Sequence, residues 1–109
     1  MVFTEDNKKY VQEQIDKGFE ELTLPPYMKS AVENWVFHGI PGGSFLTSIM
    51  TNNLKDSIFQ ADAQNRAKIQ DWVQFITWHI PSACQGSVGC VNHWIQLHTK
   101  ENGKEEQTP

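Results

Sequence analysis

The sequence predicts an all-α fold, a compact bundle of four to five helices with an N-terminal helical arm. Apolar residues recur three and four positions apart along most of the chain, the spacing of an amphipathic helix. Capping residues, glycines and prolines punctuate these segments where helices are expected to begin and end. The length of 109 residues is that of one domain. We expect an arm over residues 1–23, a helical core domain over 24–99 and a disordered tail over 100–109.

The arm is predicted to hold one helix. Thr4 is a suitable N-cap for a helix over Glu5–Lys17, and Gly18 is expected to stop it. Most of this helix is polar, so two interpretations stay open. Either the arm packs on the domain or on a second subunit, or it is a largely solvated helix.

The core domain is predicted to open with a helix over Pro26–His38, because a proline suits a first helical turn. Gly39 then ends the helix with a positive φ, and Pro41 prevents it from resuming. Ser44 is expected to cap a short helix over Phe45–Met50. The apolar stripe of the first helix comprises Met28, Ala31, Val32, Trp35 and Val36.

Three further helices follow. Thr51 or Asn52 is expected to cap the first, which carries Leu54, Ile58 and Phe59. Asp62 caps a long helix over Ala63–His79, and Ser87 caps the last, with Trp94 and His98 on its apolar face. The buried stripe of the long helix comprises Ile69, Trp72, Val73, Ile76 and Ile80. Phe75 and Trp78 form a second apolar sector, which indicates burial on two sides or a subunit interface.

The composition narrows the classes of partner. The net charge is −4 with nine basic residues and no basic block, so duplex nucleic acid is not expected. No apolar run approaches the roughly 20 residues of a membrane span, and the N-terminus is no secretory signal, so we expect a cytosolic protein. Four Trp, six Phe and two Tyr are more apolar surface than one monomer readily hides, so we expect an even-numbered homo-oligomer.

No catalytic or metal-binding pattern emerges, so neither an enzyme nor a cofactor is expected. The four histidines at 38, 79, 93 and 98 lack the i, i+4 spacing of a helical metal site. We expect the first two at helix ends and the last two at the surface. Cys84 and Cys90 are expected to be free thiols, with a disulfide between them left open.

Nucleotide binding is the functional hypothesis that the residue types favour. Tyr27 and Trp78 are the rings expected to be exposed for base stacking. Backbone N–H groups at a glycine-rich helix start suit an anion, although such residues also serve simply as a turn, and asparagines as caps. The candidate ligand-binding residues are Tyr27, Lys29, Gly43, Ser44, Thr47, Asn52, Asn53, Lys55, Arg66 and Trp78.

Several motifs together resemble a family of small phage and prophage proteins over Leu24–Leu97. The motifs are Ile40–Thr47, Asn52-Asn53-Leu54, Ala61–Asn65, Pro81–Cys84, Gly86-Ser87 and Trp94-Ile95. The chain departs from the family pattern at Asn53, where an acidic residue is common, and at Gln85, where a tryptophan is common. Ligand preference here would shift if either position contacts ligand.

The resemblance implies an anti-defence protein of a phage, acting in the host cytoplasm. One such class is the anti-CBASS sponge, which sequesters a cyclic di- or oligonucleotide immune signal without cleaving it. Two alternatives stay open: a protein-binding inhibitor of a host defence factor, similar to an anti-CRISPR protein, and a structural or assembly module of a phage.

Overall fold

The protein is all-helical, as the sequence predicts. The computed structural model describes residues 2–106, with the side chains described over 2–100. Within this range there are seven α-helices and no strand, so the predicted four to five helices were too few. The α-helices are α1 Glu5–Glu21, α2 Lys29–His38, α3 Ser44–Met50, α4 Leu54–Gln60, α5 Ala63–Arg66, α6 Ile69–Trp78 and α7 Val88–Glu106; 3₁₀ turns lie at Pro26–Met28 and Ser82–Cys84.

Helix α1 lies against the core and continues through Gly18 to Glu21. Thr4 caps it as predicted, its Oγ1 accepting a hydrogen bond of 3.2 Å from the backbone N–H of Asn7. The prediction that Gly18 stops the helix was wrong. Gly18 is buried inside the helix, and a Cβ added there would lie 2.6 Å from the ring of Phe75. The glycine therefore permits a close crossing of α1 over α6, and the arm packs on its own domain.

The predicted helix Ala63–His79 is broken into α5 and α6. Asp62 caps α5 as expected, accepting a hydrogen bond of 2.8 Å from the N–H of Asn65. The backbone then leaves the helical conformation at Lys68, where φ is −113°. Two side chains, one just before this break and one at it, form hydrogen bonds to other parts of the chain. Asn65 Oδ1 accepts from Trp72 Nε1 at 3.0 Å, and Lys68 Nζ donates to the carbonyl of Leu22 at 3.1 Å.

The buried face of α6 is rotated from the predicted one. Phe75 is fully buried and Val73 is exposed, whereas we expected Val73 in the core. The two positions lie about 200° apart around a helix, so both cannot face inward. The close approach of α1 at Gly18 selects the Phe75 side. A cluster of edge-to-face rings, with centroids 5.2 to 5.9 Å apart, forms around it from Phe19, Phe45, Trp72 and Phe75.

Two predicted helix caps are each displaced by one or two residues. Gly43, not Ser44, occupies the N-cap of α3, and it offers no side chain to bond. Asn53, not Thr51 or Asn52, caps α4, with its Oδ1 accepting from the N–H of Asp56 at 3.0 Å. Asn52 instead takes a left-handed φ of 63° in the turn between the two helices.

The C-terminal part of the chain differs most from expectation. Helix α7 begins after its predicted cap, Ser87, whose Oγ accepts from the N–H of Cys90 at 3.1 Å. It continues to Glu106, so residues 100–106 of the predicted disordered tail are helical, and residues 107–109 lie outside the described range. His98 is only 4% exposed and packs beneath Gly39. Its predicted place on the apolar face of the helix is therefore confirmed, whereas its expected surface position was wrong. Over the described helices none is long and apolar enough to cross a membrane.

Candidate functional site

A cleft lies between helix α1 and the C-terminal end of α6. Its volume is about 240 Å³. Three side chains on α1 and four residues at the end of α6 and just beyond it form its walls. These are Tyr10, Val11, Gln14, Trp78, His79, Ile80 and Pro81.

Two aromatic rings lining this cleft are open to solvent. Trp78 is 74% exposed and Tyr10 is 63% exposed, whereas Trp35 and Trp72 are buried in the core. The exposure predicted for Trp78 is therefore confirmed. Exposed rings on two different helices, beside one concave surface, can contact a planar ligand that fits between the helices.

The cleft has an apolar floor and few polar groups. Val11 and Ile80 are buried and line it, so a ligand ring would meet hydrocarbon rather than charge. The polar side-chain groups of its lining residues are those of Gln14 and His79, together with the hydroxyl of Tyr10 and the indole N–H of Trp78. A mostly apolar surface with a small number of placed polar atoms is the usual composition of a small-molecule site.

The imidazole of His79 is held against α1. Its Nδ1 lies 3.2 Å from the backbone carbonyl oxygen of Gln14. Its ring is nearly parallel to that of Phe75, with an interplanar angle of 13° and centroids 5.8 Å apart. A Cβ at position 18 would lie 2.8 Å from His79 Cγ, so the glycine also makes room for this ring.

Of the ten predicted ligand-binding residues, Trp78 alone lines this cleft. Tyr27 is also exposed, as predicted, but its hydroxyl donates a hydrogen bond to Asp62 at the start of α5. That bond lowers the pKa of the Asp62 carboxyl and raises the pKa of the Tyr27 phenol. Arg66 closes the α4–α5 junction by donating to the carbonyl of Ala61 at 2.9 Å. The charge of Arg66 also lowers the pKa of the Asp62 carboxyl, so Tyr27 and Arg66 both lie near this group.

Lys29 is engaged in an ion pair elsewhere on the surface. Its Nζ lies 2.6 Å from Oδ1 of Asp16 on α1. The hydrogen bond from Lys29 lowers the pKa of the Asp16 carboxyl. Both side chains are substantially exposed, so this pair contributes little to stability.

The diglycine corner before α3 is open on its outer side but has little room within. A Cβ added at Gly43 would meet nothing within 4 Å, whereas one at Gly42 would lie 2.6 Å from Leu46. The cavity beside the corner, lined in part by Gly42 and Thr47, measures about 10 Å³. That is room for about one water molecule. The exposed Ser44 begins the helix.

The remaining predicted residues lie at the joint between α3 and α4. Both ends of the Asn53 amide bond to Asp56, since Oδ1 accepts from its N–H and Nδ2 donates to its carboxylate, each at 3.0 Å. Asn52 and Lys55 are exposed beside it. The capping role considered for these asparagines is therefore confirmed for Asn53.

Sequence reasoning missed Tyr10, Gln14 and His79 as partners of Trp78. The sequence predicts only a helix-end position for His79 and indicates no role for Tyr10 or Gln14. The available signal was Gly18, four residues after Gln14 in a segment otherwise typical of a helix. A glycine inside a helix indicates a close helix crossing, although it does not say which helix crosses.

The cysteines and histidines are the remaining side chains that could act as nucleophiles or metal ligands. Cys84 and Cys90 are free thiols. Cys84 is fully buried, which raises its pKa to about 12. Among the residues that the structure describes, no three His, Cys, Asp or Glu side chains are grouped to hold a metal ion.

Comparisons with protein-family models, with curated proteins and with solved structures find no match. The resemblance to small phage and prophage proteins therefore stays a prediction.

Proposed function

We propose that the protein binds a nucleotide by holding one base in the cleft between α1 and the end of α6. The observation that carries this proposal is the pair of exposed rings, Tyr10 and Trp78, beside one apolar floor. Stacking of a base on an aromatic side chain contributes about 1–3 kcal/mol, and every base offers a flat face. Stacking on these rings would therefore supply part of the binding free energy of a base, and contact with the apolar floor would add to it.

The size of the cleft favours one base rather than a whole ligand. Its volume of about 240 Å³ lies below the roughly 300–1,000 Å³ that is usual for drug-sized ligands. The sugar and phosphate of a nucleotide would then lie outside it, along the surface of α1. Lys8 and Lys9 do not border this cleft, because they lie on the opposite flank of α1, beside a second cleft that also includes Glu5 and His38.

We propose sequestration rather than chemical conversion of the ligand. Cys84 lies three residues beyond Pro81, which lines the cleft, but its thiol donates to the Pro81 carbonyl at 3.1 Å. With a pKa of about 12 it stays protonated near neutral pH, and the thiolate is the nucleophilic form. The buried thiol is therefore a structural group.

The biological role that we propose is that of a phage-encoded anti-defence protein in the host cytoplasm. Its ligand would be a cyclic di- or oligonucleotide immune signal, which it would bind without cleaving. This role rests on the resemblance carried by the motifs between residues 40 and 95, combined with the base-sized cleft.

A protein-binding inhibitor of a host defence factor is the second candidate. Helix α4 presents Leu54, Ile58 and Phe59 to solvent, and Ser57 is its one buried residue. An apolar face of this kind is typical of a protein contact. A module that assembles with other copies would use the same face.

Isothermal titration calorimetry against a panel of cyclic di- and trinucleotides tests the first proposal. We expect saturable heat with at least one of them, and we expect mass spectrometry to recover that compound intact after incubation. Absence of heat with every compound would refute nucleotide binding. Recovery of a hydrolysed compound would refute sequestration and leave binding in place.

A further inference from the structure

We propose that His79 selects the base, with its Nε2 accepting a hydrogen bond from an amino group on the edge of the base held in the cleft. This inference rests on the proposed function and specifies the ligand chemistry of the same site. It predicts a ligand whose base carries an exocyclic amino group, as adenine, guanine and cytosine do.

The hydrogen bond to Gln14 decides which nitrogen of His79 carries the proton. A backbone carbonyl oxygen only accepts hydrogen bonds, so Nδ1, 3.2 Å away, must be the donor. In the neutral ring the other nitrogen, Nε2, then carries a lone pair and accepts. The backbone of α1 therefore sets the chemical character of the nitrogen that faces away from it.

The acceptor is held in place before any ligand arrives. The ring stacks on Phe75 at 13°, and its Cγ lies where only a glycine at position 18 leaves space. A side chain already confined by a hydrogen bond, a stacked ring and a close backbone loses little rotational freedom on binding. A confined acceptor also discriminates by direction, because a hydrogen bond weakens steeply away from linearity.

The nitrogen is also available to a ligand. Among the described residues no protein group bonds to His79 Nε2, and this atom is not among the buried unpaired ones. The contrast is His98, whose Nε2 is buried and lacks a partner in the same part of the chain. His79 lines the cleft with Tyr10 and Trp78, so a base stacked on either ring comes near its free edge.

The expected discrimination is modest because the cleft is open to water. An analogue without the amino hydrogens leaves Nε2 to solvent rather than unpaired in a dry pocket. We therefore expect about a tenfold loss of affinity, which corresponds to about 1.4 kcal/mol.

The test pairs three ordinary probes with blocked analogues. AMP is compared with N6,N6-dimethyl-AMP, GMP with N2,N2-dimethyl-GMP, and CMP with N4,N4-dimethyl-CMP, by titration monitored with NMR. The wild-type protein should bind at least one unmodified member about tenfold more tightly than its blocked partner. His79→Phe, which retains a flat ring on Phe75 but no acceptor, should bind both members of that pair equally. His93→Phe, on an exposed position of α7, is the matched control and should keep the preference.

A second readout does not depend on ligand. Long-range ¹H–¹⁵N correlation spectra of the free protein should assign the proton of neutral His79 to Nδ1. A proton on Nε2 instead would overturn the inference. So would equal affinities in the wild type, or a preference that survives in His79→Phe and hence reflects only the bulk of the methyl groups. Those outcomes would leave nucleotide binding standing, whereas no binding of any mononucleotide or cyclic probe would refute both.

Discussion

The indole Nε1 of Trp35 donates a hydrogen bond of 3.0 Å to the backbone carbonyl of Cys84. Trp94 in turn donates its Nε1 to the carbonyl of Trp35, also at 3.0 Å. All three residues are buried. These two bonds tie α2, the turn Ser82–Cys84 and α7 together, and they hold the segment that begins with Pro81, a wall of the cleft.

Replacing Trp35 by Phe should destabilise the fold. The ring would still fill most of the space, but the buried Cys84 carbonyl would lose its donor. A buried unpaired polar group costs about 1–3 kcal/mol. Urea denaturation should show a fall in the free energy of unfolding of at least this size. Trp78→Phe, at an exposed position, should change it by no more than about 0.5 kcal/mol. Equal stabilities of the two variants would contradict the structural role of the Trp35 bond.

Replacing Gly18 by Ala should also destabilise the protein, although alanine favours a helix by about 1 kcal/mol over glycine. The added Cβ would lie 2.6 Å from Phe75 and 2.8 Å from His79, and both rings are packed. Overpacking of this kind costs about 1–3 kcal/mol. Thermal unfolding should therefore give a lower midpoint.

The matched control is Gly89→Ala on α7. A Cβ there would approach nothing closer than Ser87 Oγ at 3.7 Å, so the helix preference should dominate and the midpoint should rise or stay unchanged. A stabilised Gly18→Ala variant would mean that α1 does not cross α6 as closely as described.

The ends of the helices show which features of the fold the sequence alone could predict. Local signals were sufficient at several helix ends, but not at the starts of α3 and α4, whose caps lie one or two residues from the predicted ones. Thr4 caps α1, and Gly39 ends α2 with a φ of 64° as its position predicts. A cap depends on residues three or four positions away, all visible in one stretch of sequence.

Features that depend on distant residues were not predictable from one stretch. The role of Gly18 depends on Phe75, which lies on another helix. The break before α6 coincides with the bond that Lys68 makes to Leu22. The neighbours of Trp78 in the cleft could not be found either, because periodicity identifies a face of a helix and not the helix that opposes it.

Stability should depend on pH through His98. Burial lowers the pKa of His98 below its usual 6.5, and the nearby charge of His38 lowers it further, by a smaller amount. The unfolded chain therefore takes up a proton near pH 6.5, before the folded protein does. The contribution of neutral His98 to the free energy of unfolding should be complete above that pH and should fall as the pH drops below it. The fall should level off below the pKa of His98 in the folded protein.

Urea unfolding between pH 7.5 and 5.5 measures this slope, which for one proton is at most about 1.4 kcal/mol per pH unit. His98→Phe should reduce the slope, because the group that must charge is gone. His93→Phe, at an exposed site on the same helix, should not. Identical slopes in all three proteins would exclude His98 as the source.

Self-association is expected to use the exposed face of α4. Leu54 is 65% exposed and Phe59 is 70% exposed, on a seven-residue helix. A symmetric contact between two copies would cover this face on both. Sedimentation velocity should find an even-numbered oligomer for the wild type and a monomer for the Leu54→Ser/Phe59→Ser double variant. A wild-type monomer would contradict self-association and favour a different protein partner for this face.

The central claim, that the ring of Trp78 holds a base, is tested most directly by two variants titrated side by side. Trp78→Ala removes an exposed ring from the cleft, and Phe59→Ala removes an equally exposed ring from α4, away from it. Calorimetry would use the cyclic nucleotide that binds the wild type most tightly. We predict that Trp78→Ala weakens binding at least fivefold, the lower limit for the loss of one stacked base, and that Phe59→Ala binds like the wild type. Equal affinity of Trp78→Ala and the wild type would contradict the assignment of the cleft.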